Sequence, residues 1–342
     1  MKIEHLHYIR KQLKERLKKK ISMAFELYKE AAEQGDIDAI RNLGECYYYG
    51  IGTENNEIRA FELYEKAAEK GQIRAINNLG YCYKKGIGTE KDEIKAFELY
   101  GEAAEKGDIT AINNLAICYQ NGIGTEKNEN KAFELYKEVV KKGQIDAINN
   151  LGYCYQHGIG TEKNENRAFT LYKEAAERGI TNAIDNLGYC FQYGTGTEKN
   201  ENRAFELYKA AAVKEDIGAI NNLANCYRNG IGIEKNEIKA FELYEKAARK
   251  GQIKAINNLG YCYQNGIGTE KDEIRAFELY QEAAEKGDTL ATRCLANCYK
   301  DGIGIDKDAI KAFELYREAA KGGDLFALYM VLDIIIPFCE QD

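Results

Sequence analysis

The stretch Ala75–Thr110, AINNLGYCYKKGIGTEKDEIKAFELYGEAAEKGDIT, decides the fold. Ala75, Ile76, Leu79, Cys82 and Tyr83 fall at the i, i+1, i+4, i+7, i+8 spacing of one helical face. Gly86-Ile87-Gly88 breaks that pattern. Asp92 then offers an N-cap side chain, with Glu93 in the first turn, where negative charge suits the helix dipole. Ala96, Phe97, Leu99, Tyr100, Ala103 and Ala104 make a second stripe, closed by Gly107 at the usual left-handed cap position. The stretch predicts two short helices joined by a glycine-bearing loop.

Working outward, the pattern returns every 36 residues. Cys46, Cys82, Cys118, Cys154, Cys190, Cys226, Cys262 and Cys298 keep that period, and so do the alanines from Ala24 to Ala312 that open each AFELY-type segment. Gly80 and its equivalents are Gly or Ala throughout, which lets two helix backbones approach closely. A helical pair this short cannot bury its apolar face alone, so neighbouring repeats must stack. The expected fold is all-α: a right-handed α/α superhelical solenoid of 36-residue helix-turn-helix repeats. Its expected organisation is a basic N-terminal helix or cap over 1–23, a solenoid over 24–323 and an apolar C-terminal capping helix over 324–342. The solenoid comprises a half repeat at 24–35 and eight full repeats over 36–323. Glu215 replaces a cap glycine, which forces a non-glycine residue toward φ > 0 and marks Lys214–Ile217 as a candidate for altered stacking or a hinge.

Composition narrows the chemistry. Ser22 is the only serine and there are three histidines, so serine nucleophiles and histidine-based acid–base or metal chemistry have little to draw on. Net charge is −7, which offers no general affinity for nucleic acid, although residues 1–20 carry eight Lys/Arg against Glu4 and Glu15. That basic segment has three open readings: a cap on the first repeat, a contact for an acidic partner, or a contact for membrane or nucleic acid. The first twenty residues lack the apolar run of a signal peptide, and Leu325–Phe338, which contains Asp333, falls short of the ~20 residues a membrane span needs. The expected location is cytoplasmic.

Several motifs dissolve on inspection. Cysteines at one place on successive helices lie ~8–10 Å apart, beyond the ~7 Å Cα separation that a disulfide tolerates. Cys294 and Cys298 sit one turn apart without a second ligand pair for zinc. All ten cysteines are therefore expected as free thiols, with no metal and no cofactor. GIGTEK lacks the spacing of a phosphate-binding loop. Asp306-Lys307-Asp308 lacks the glycine of a calcium loop. Cys154, on the core stripe, is a poor partner for His157.

The spacing A…LG..Y..G.G…A…LY..AA..G resembles the Sel1-like repeat family, a relative of the tetratricopeptide repeat, over residues 24–323. The resemblance implies a non-enzymatic scaffold or adaptor that binds a peptide or protein segment in a concave groove lined by the first helix of each repeat. Cysteine-rich members carry a second cysteine in the other helix; here that place holds Ala67-Ala68 and its copies. The rival readings are a hydrolase-like enzyme of the cysteine-rich kind, for which a nucleophile–base pair is missing, and a duplicated or consensus array without a specialised ligand.

On this reading the groove residues are Arg74, Asn77, Asn78, Tyr81, Lys84, Asn113, Asn114, Gln120, Asn149, Asn150, Tyr153 and Gln156. They continue through Asp185, Tyr189, Gln192, Asn221, Asn225, Arg228, Asn257, Tyr261 and Gln264. Asn77, Asn113, Asn149 and Asn221 are expected in solvent, available to a ligand. Asn78, Asn114, Asn150 and their equivalents form a ladder broken by Cys294 that either bonds neighbouring repeats or clamps a peptide main chain, or both. The tyrosines supply flat amphipathic contact area. The partner implied is a protein or extended peptide, with self-association possible through the apolar C-terminal helix.

Overall fold

The computed structural model describes residues 2–331, with side chains at residue 12 and from residue 15 onward. The described chain is helical and consists of two compact bodies, residues 1–164 and 165–342. The first holds α1 (Lys2–Glu33), α2 (Ile37–Tyr49), α3 (Glu57–Glu69), α4 (Ile73–Lys85), α5 (Glu93–Glu105), α6 (Ile109–Asn121), α7 (Glu129–Lys141) and α8 (Asp146–His157). The second holds α9 (Glu165–Glu177), α10 (Thr181–Tyr193), α11 (Glu201–Val213), α12 (Ile217–Asn229), α13 (Glu237–Arg249), α14 (Ile253–Asn265), α15 (Glu273–Glu285), α16 (Thr289–Asp301) and α17 (Ala309–Lys321). In each body every helix packs on the next in sequence, the arrangement of an α-solenoid.

Local chemistry sets each helix boundary. Asp92 caps α5 by accepting from the Lys95 amide at 2.9 Å, and Asn56, Asn128, Asn200, Asn236, Asp272 and Asp308 do the same for their helices. The first helices are capped as well, by Asp108 on α6 and Gln72 on α4. They end on glycines in the left-handed region, such as Gly86 at φ 72°.

Packing between repeats is aromatic. Phe61 of α3 meets Tyr83 of α4 edge-to-face at 5.4 Å, and Phe97–Tyr119, Phe133–Tyr155 and Phe205–Tyr227 repeat the contact. Each such pair adds ~0.5–1.5 kcal/mol beyond its buried area. Phe25 of α1 makes the same contact with Tyr47, so the N-terminal helix covers the first full repeat as a second helix would. α1 runs without interruption through the expected boundary at residues 23 and 24.

Two glycine positions are enforced by crowding. A Cβ on Gly80 would stand 3.0 Å from the Tyr100 ring, which packs against α4. Gly124, at φ 66°, sits on the preceding repeat, where a Cβ would fall 1.9 Å from the Glu93 carbonyl oxygen. The second glycine of each GIG loop is thus a site of inter-repeat backbone contact.

Glu215 stands at φ 64°, the one positive φ outside glycine among the described residues. The stacking change expected at Lys214–Ile217 is absent. Asp216 caps α12 with φ −65° and ψ 117°, against −69° and 112° for Asp108 on α6. The irregular turn lies instead before α8, where Ile145 takes the N-cap position in right-handed helical geometry and makes no side-chain cap. Beyond Gly323, Ala327 and Val331 are buried while Leu325, Phe326, Leu328 and Tyr329 are exposed; the apolar positions 332–338 of the expected C-terminal helix lie outside the described residues.

Two alanine substitutions separate backbone strain from crowding. Gly107, at φ 90°, has nothing within 4 Å of its would-be Cβ, so Gly107→Ala should cost only the left-handed penalty of ~1–2 kcal/mol. Gly124→Ala adds a clash with α5 and should cost ~3 kcal/mol or more. Urea-denaturation midpoints of the two variants measure the difference.

Candidate functional site on the first helices

Each second helix drives a tyrosine into the interior: Tyr100, Tyr136, Tyr172, Tyr208, Tyr244, Tyr280 and Tyr316 are all at most 1% exposed. A buried hydroxyl needs a partner, and the first helix of the repeat supplies it. Tyr136 Oη donates to Gln120 Oε1 at 2.7 Å; Tyr208 donates to Gln192 and Tyr280 to Gln264, each at 2.8 Å. Where Arg228 or Lys300 replaces that glutamine, an asparagine one turn earlier accepts instead. Tyr244 donates to Asn225 at 2.6 Å and Tyr316 to Asn297 at 2.5 Å. The repeat with Lys84 and Tyr81 at these two places has neither acceptor, and the Tyr100 hydroxyl is buried without a partner. Gln120, Gln192, Gln264 and Asn225 were expected as ligand contacts; their carbonyl oxygens are committed to the core, leaving only the amide N–H groups for the groove.

The asparagine row expected in solvent also needs correcting. Asn77 and Asn221, expected in solvent, are buried at 9% and 4% exposure, with Asn257 at 5%. Asn78, Asn114 and Asn150, the ladder row, are half-buried. The rows bond each other across repeats: Asn114 Nδ2 donates to Asn77 Oδ1 at 2.9 Å, Asn150 to Asn113 at 3.2 Å, and Asn258 to Asn221 at 2.9 Å. Both rows therefore hold neighbouring repeats together, because the first helix of the next repeat covers the face that a helical wheel of a single helix leaves open. Asn149 is half-buried on the same face of α8. Cys294 lacks the amide that would complete the next rung, and Asn257 Oδ1 is left buried without a donor.

Asp185 occupies the buried-row position in its repeat and accepts from Asn222 Nδ2 at 2.9 Å. Burial pushes its carboxyl up from 3.8 to about 6, Asn222 opposes the shift, and Asp216 adds to it.

What remains exposed is one tyrosine position. Tyr81 and Tyr153 in the first body, and Tyr189 and Tyr261 in the second, are 39–45% exposed on their first helices. Tyr81, Tyr189 and Tyr261 border clefts lined by amides. In the second body a cleft of about 860 Å³ brings Tyr189 and Gln192 together with Asn221, Asn225, Arg228 and Asn257. A second, of about 650 Å³, joins Arg228 and Asn257 to Tyr261 and Gln264. The Arg228 guanidinium lies 5.7 and 5.6 Å from the Tyr244 and Tyr261 ring centres. In the first body a cleft of about 730 Å³ holds Arg74, Asn77 and Asn78. Lys84 is half-buried, and Gln156 is buried on α8. Leu290, on the same face of α16, is 44% exposed and lines both clefts of the second body.

Burial pushes the Cys82, Cys154 and Cys226 thiols up to about 12, the reverse of nucleophile activation. Burial and Lys163 lower the pKa of His157, whose ring packs 4.3 Å from Tyr153. Among the described residues, no three His, Cys, Asp or Glu side chains converge to hold a metal.

The Sel1 repeat family model matches nine segments: residues 14–36, 37–72, 73–108, 109–143, 145–180, 181–212, 217–252, 253–288 and 294–324. The chain belongs to the Sel1 repeat family. Among solved structures it is similar to a protective antigen present in uropathogenic Escherichia coli strains that displays an SLR fold. That match has 29% identity and a TM-score of 0.54, over 92% of this chain and 67% of the other. A Sel1 repeat protein from Oxalobacter formigenes matches with 31% identity and a TM-score of 0.60, over 71% of this chain and 96% of the other. An uncharacterized Sel1-like repeat-containing protein of Schizosaccharomyces pombe is 60% identical over 37 residues, 11% of this chain and 6% of that relative's length.

Two substitutions test these assignments. Lys84→Gln places an acceptor sixteen residues before Tyr100, the spacing of Gln120 and Tyr136, and should raise stability by ~1 kcal/mol in a thermal melt. Asp185→Asn restores the residue that most repeats carry. The raised pKa of Asp185 means its carboxylate imposes a penalty absent below about pH 3.8 and complete above about pH 6. The variant should therefore gain ~2–3 kcal/mol at pH 7.5, and almost nothing at pH 3.5, in denaturation curves at the two pH values.

Proposed function

We propose that the protein is a non-enzymatic scaffold that holds an extended segment of a partner protein against the first-helix face of each body. Solenoids of this kind commonly serve as protein-interaction scaffolds. The observation that carries the reading is the recurrence of one half-exposed tyrosine at Tyr81, Tyr153, Tyr189 and Tyr261, of which Tyr81, Tyr189 and Tyr261 border clefts lined by amide groups. Tyrosine adds contact area with few rotatable bonds and a hydroxyl for hydrogen bonding. The asparagine and glutamine N–H groups not committed to the core suit main-chain carbonyls of an extended peptide. Arg228 and Lys254 add positive charge in the second body.

The test is selection of random linear peptides on the intact chain by display. Enriched peptides should lose at least tenfold affinity for a Tyr189→Ser/Tyr261→Ser variant or for a Tyr81→Ser/Tyr153→Ser variant, with circular dichroism melts within a few degrees of the parent. Binders indifferent to both variants would overturn the assignment.

A further inference from the structure

The first full repeat departs from the others on the exposed side of its first helix. Glu45 and Tyr48 stand where other repeats place the asparagine or glutamine that accepts the buried tyrosine hydroxyl, and Tyr49 follows. The inner tyrosine, Tyr64, therefore borders a cavity of about 290 Å³. The walls of that cavity are aromatic rings set at right angles. Tyr48 stands edge-to-face with Tyr49 at 4.6 Å and 78°, and with Tyr81 of the next repeat at 6.4 Å and 89°. Tyr64, 3% exposed, closes the inner side, while Tyr49 at 68% stands at the mouth. The ionised side chain on the lining is Glu45, which is bonded to Arg41 of the preceding turn; Arg41 itself is not on the lining. The other lining groups are amides, a hydroxyl and the Cys82 thiol, which burial keeps protonated.

Aromatic faces carry negative potential, and perpendicular rings present more than one face or edge to a single guest. Glu45 is paired with Arg41, so the attraction for a cation comes from the ring faces, while its carboxylate on the lining disfavours an anion. The volume lies at the low end of ligand sites, which fits the head of one side chain or a small cation better than a drug-sized molecule. We infer that this cavity receives an alkylammonium head: that of a lysine or N-methylated lysine on a segment lying in the groove, or of a free small cation. The side-chain form of the inference rests on the peptide-binding reading above.

The experiment is a calorimetric titration of the full chain with choline and with 3,3-dimethylbutan-1-ol, which keeps the shape and replaces the charged nitrogen by carbon. Choline should saturate, with the neutral isostere at least tenfold weaker. Tyr49→Leu, at an exposed position, should weaken choline about fivefold with an unchanged circular dichroism melt. A display-selected peptide is then compared in its lysine and trimethyllysine forms. Trimethyllysine binding at least tenfold tighter than choline identifies a side chain as the source, and equal affinity identifies a free cation. Equal affinity of choline and its isostere, or no effect of Tyr49→Leu, would overturn the inference. Peptide binding that responds to Tyr189→Ser/Tyr261→Ser is read in the second body, so its survival alongside a failed cation titration sinks the cavity assignment alone.

Discussion

The need to satisfy a tyrosine hydroxyl inside every helical pair organises the repeat. The ring packs closely on its partner helix, which is why position 80 and its equivalents stay Gly or Ala, and its oxygen reaches the groove-facing row of the first helix. An unpaired buried hydroxyl costs ~1–3 kcal/mol, a large share of the stability one repeat can supply. The row therefore varies under constraint. A glutamine can become Arg228 because Asn225 accepts instead, and Lys300 is matched by Asn297 in the same way. Where neither acceptor is kept the outcome differs: Tyr100 is left unpaired, and Tyr64 borders an aromatic cavity.

The same face carries the bonds between repeats, so structure and recognition share side chains. Asn77, Asn113 and Asn221 each accept from the following repeat, and replacing them loosens the stack before it alters any ligand contact. Groups that the scaffold does not use are the better markers of binding: the exposed tyrosine row, Leu290, Arg228 and the cage around Tyr48.

The fold was legible because one 36-residue pattern is written eight times, each copy with its own stripe, cap residue and terminating glycine. Even Glu215 could be read as a strained position. The site was legible in its rows but not in its depths. On a helical wheel Asn77 points away from the Ala75–Ile76–Leu79 stripe, and a wheel contains only one partner helix. The neighbouring first helix, through Asn114, buries it from the other side. The tyrosine–glutamine pairing spans sixteen residues and two helices, a separation at which neither helical period carries a signal. Cys294 was visible as a break in the ladder, yet its consequence falls on Asn257 in the preceding repeat.

The loop glycines carry a consequence for how such a chain grows. Gly124, Gly160, Gly232, Gly268 and Gly304 each press the backbone of one loop onto the first residue of the second helix of the preceding repeat, with room for no side chain. Every repeat thus holds one half of a latch at its loop and the other half at the start of its second helix. Adding or removing a complete period brings a matching latch with it, whereas a partial insertion leaves a loop facing the wrong backbone. Length in this architecture is quantised: it changes by whole copies, and each new copy arrives with its mate already fitted.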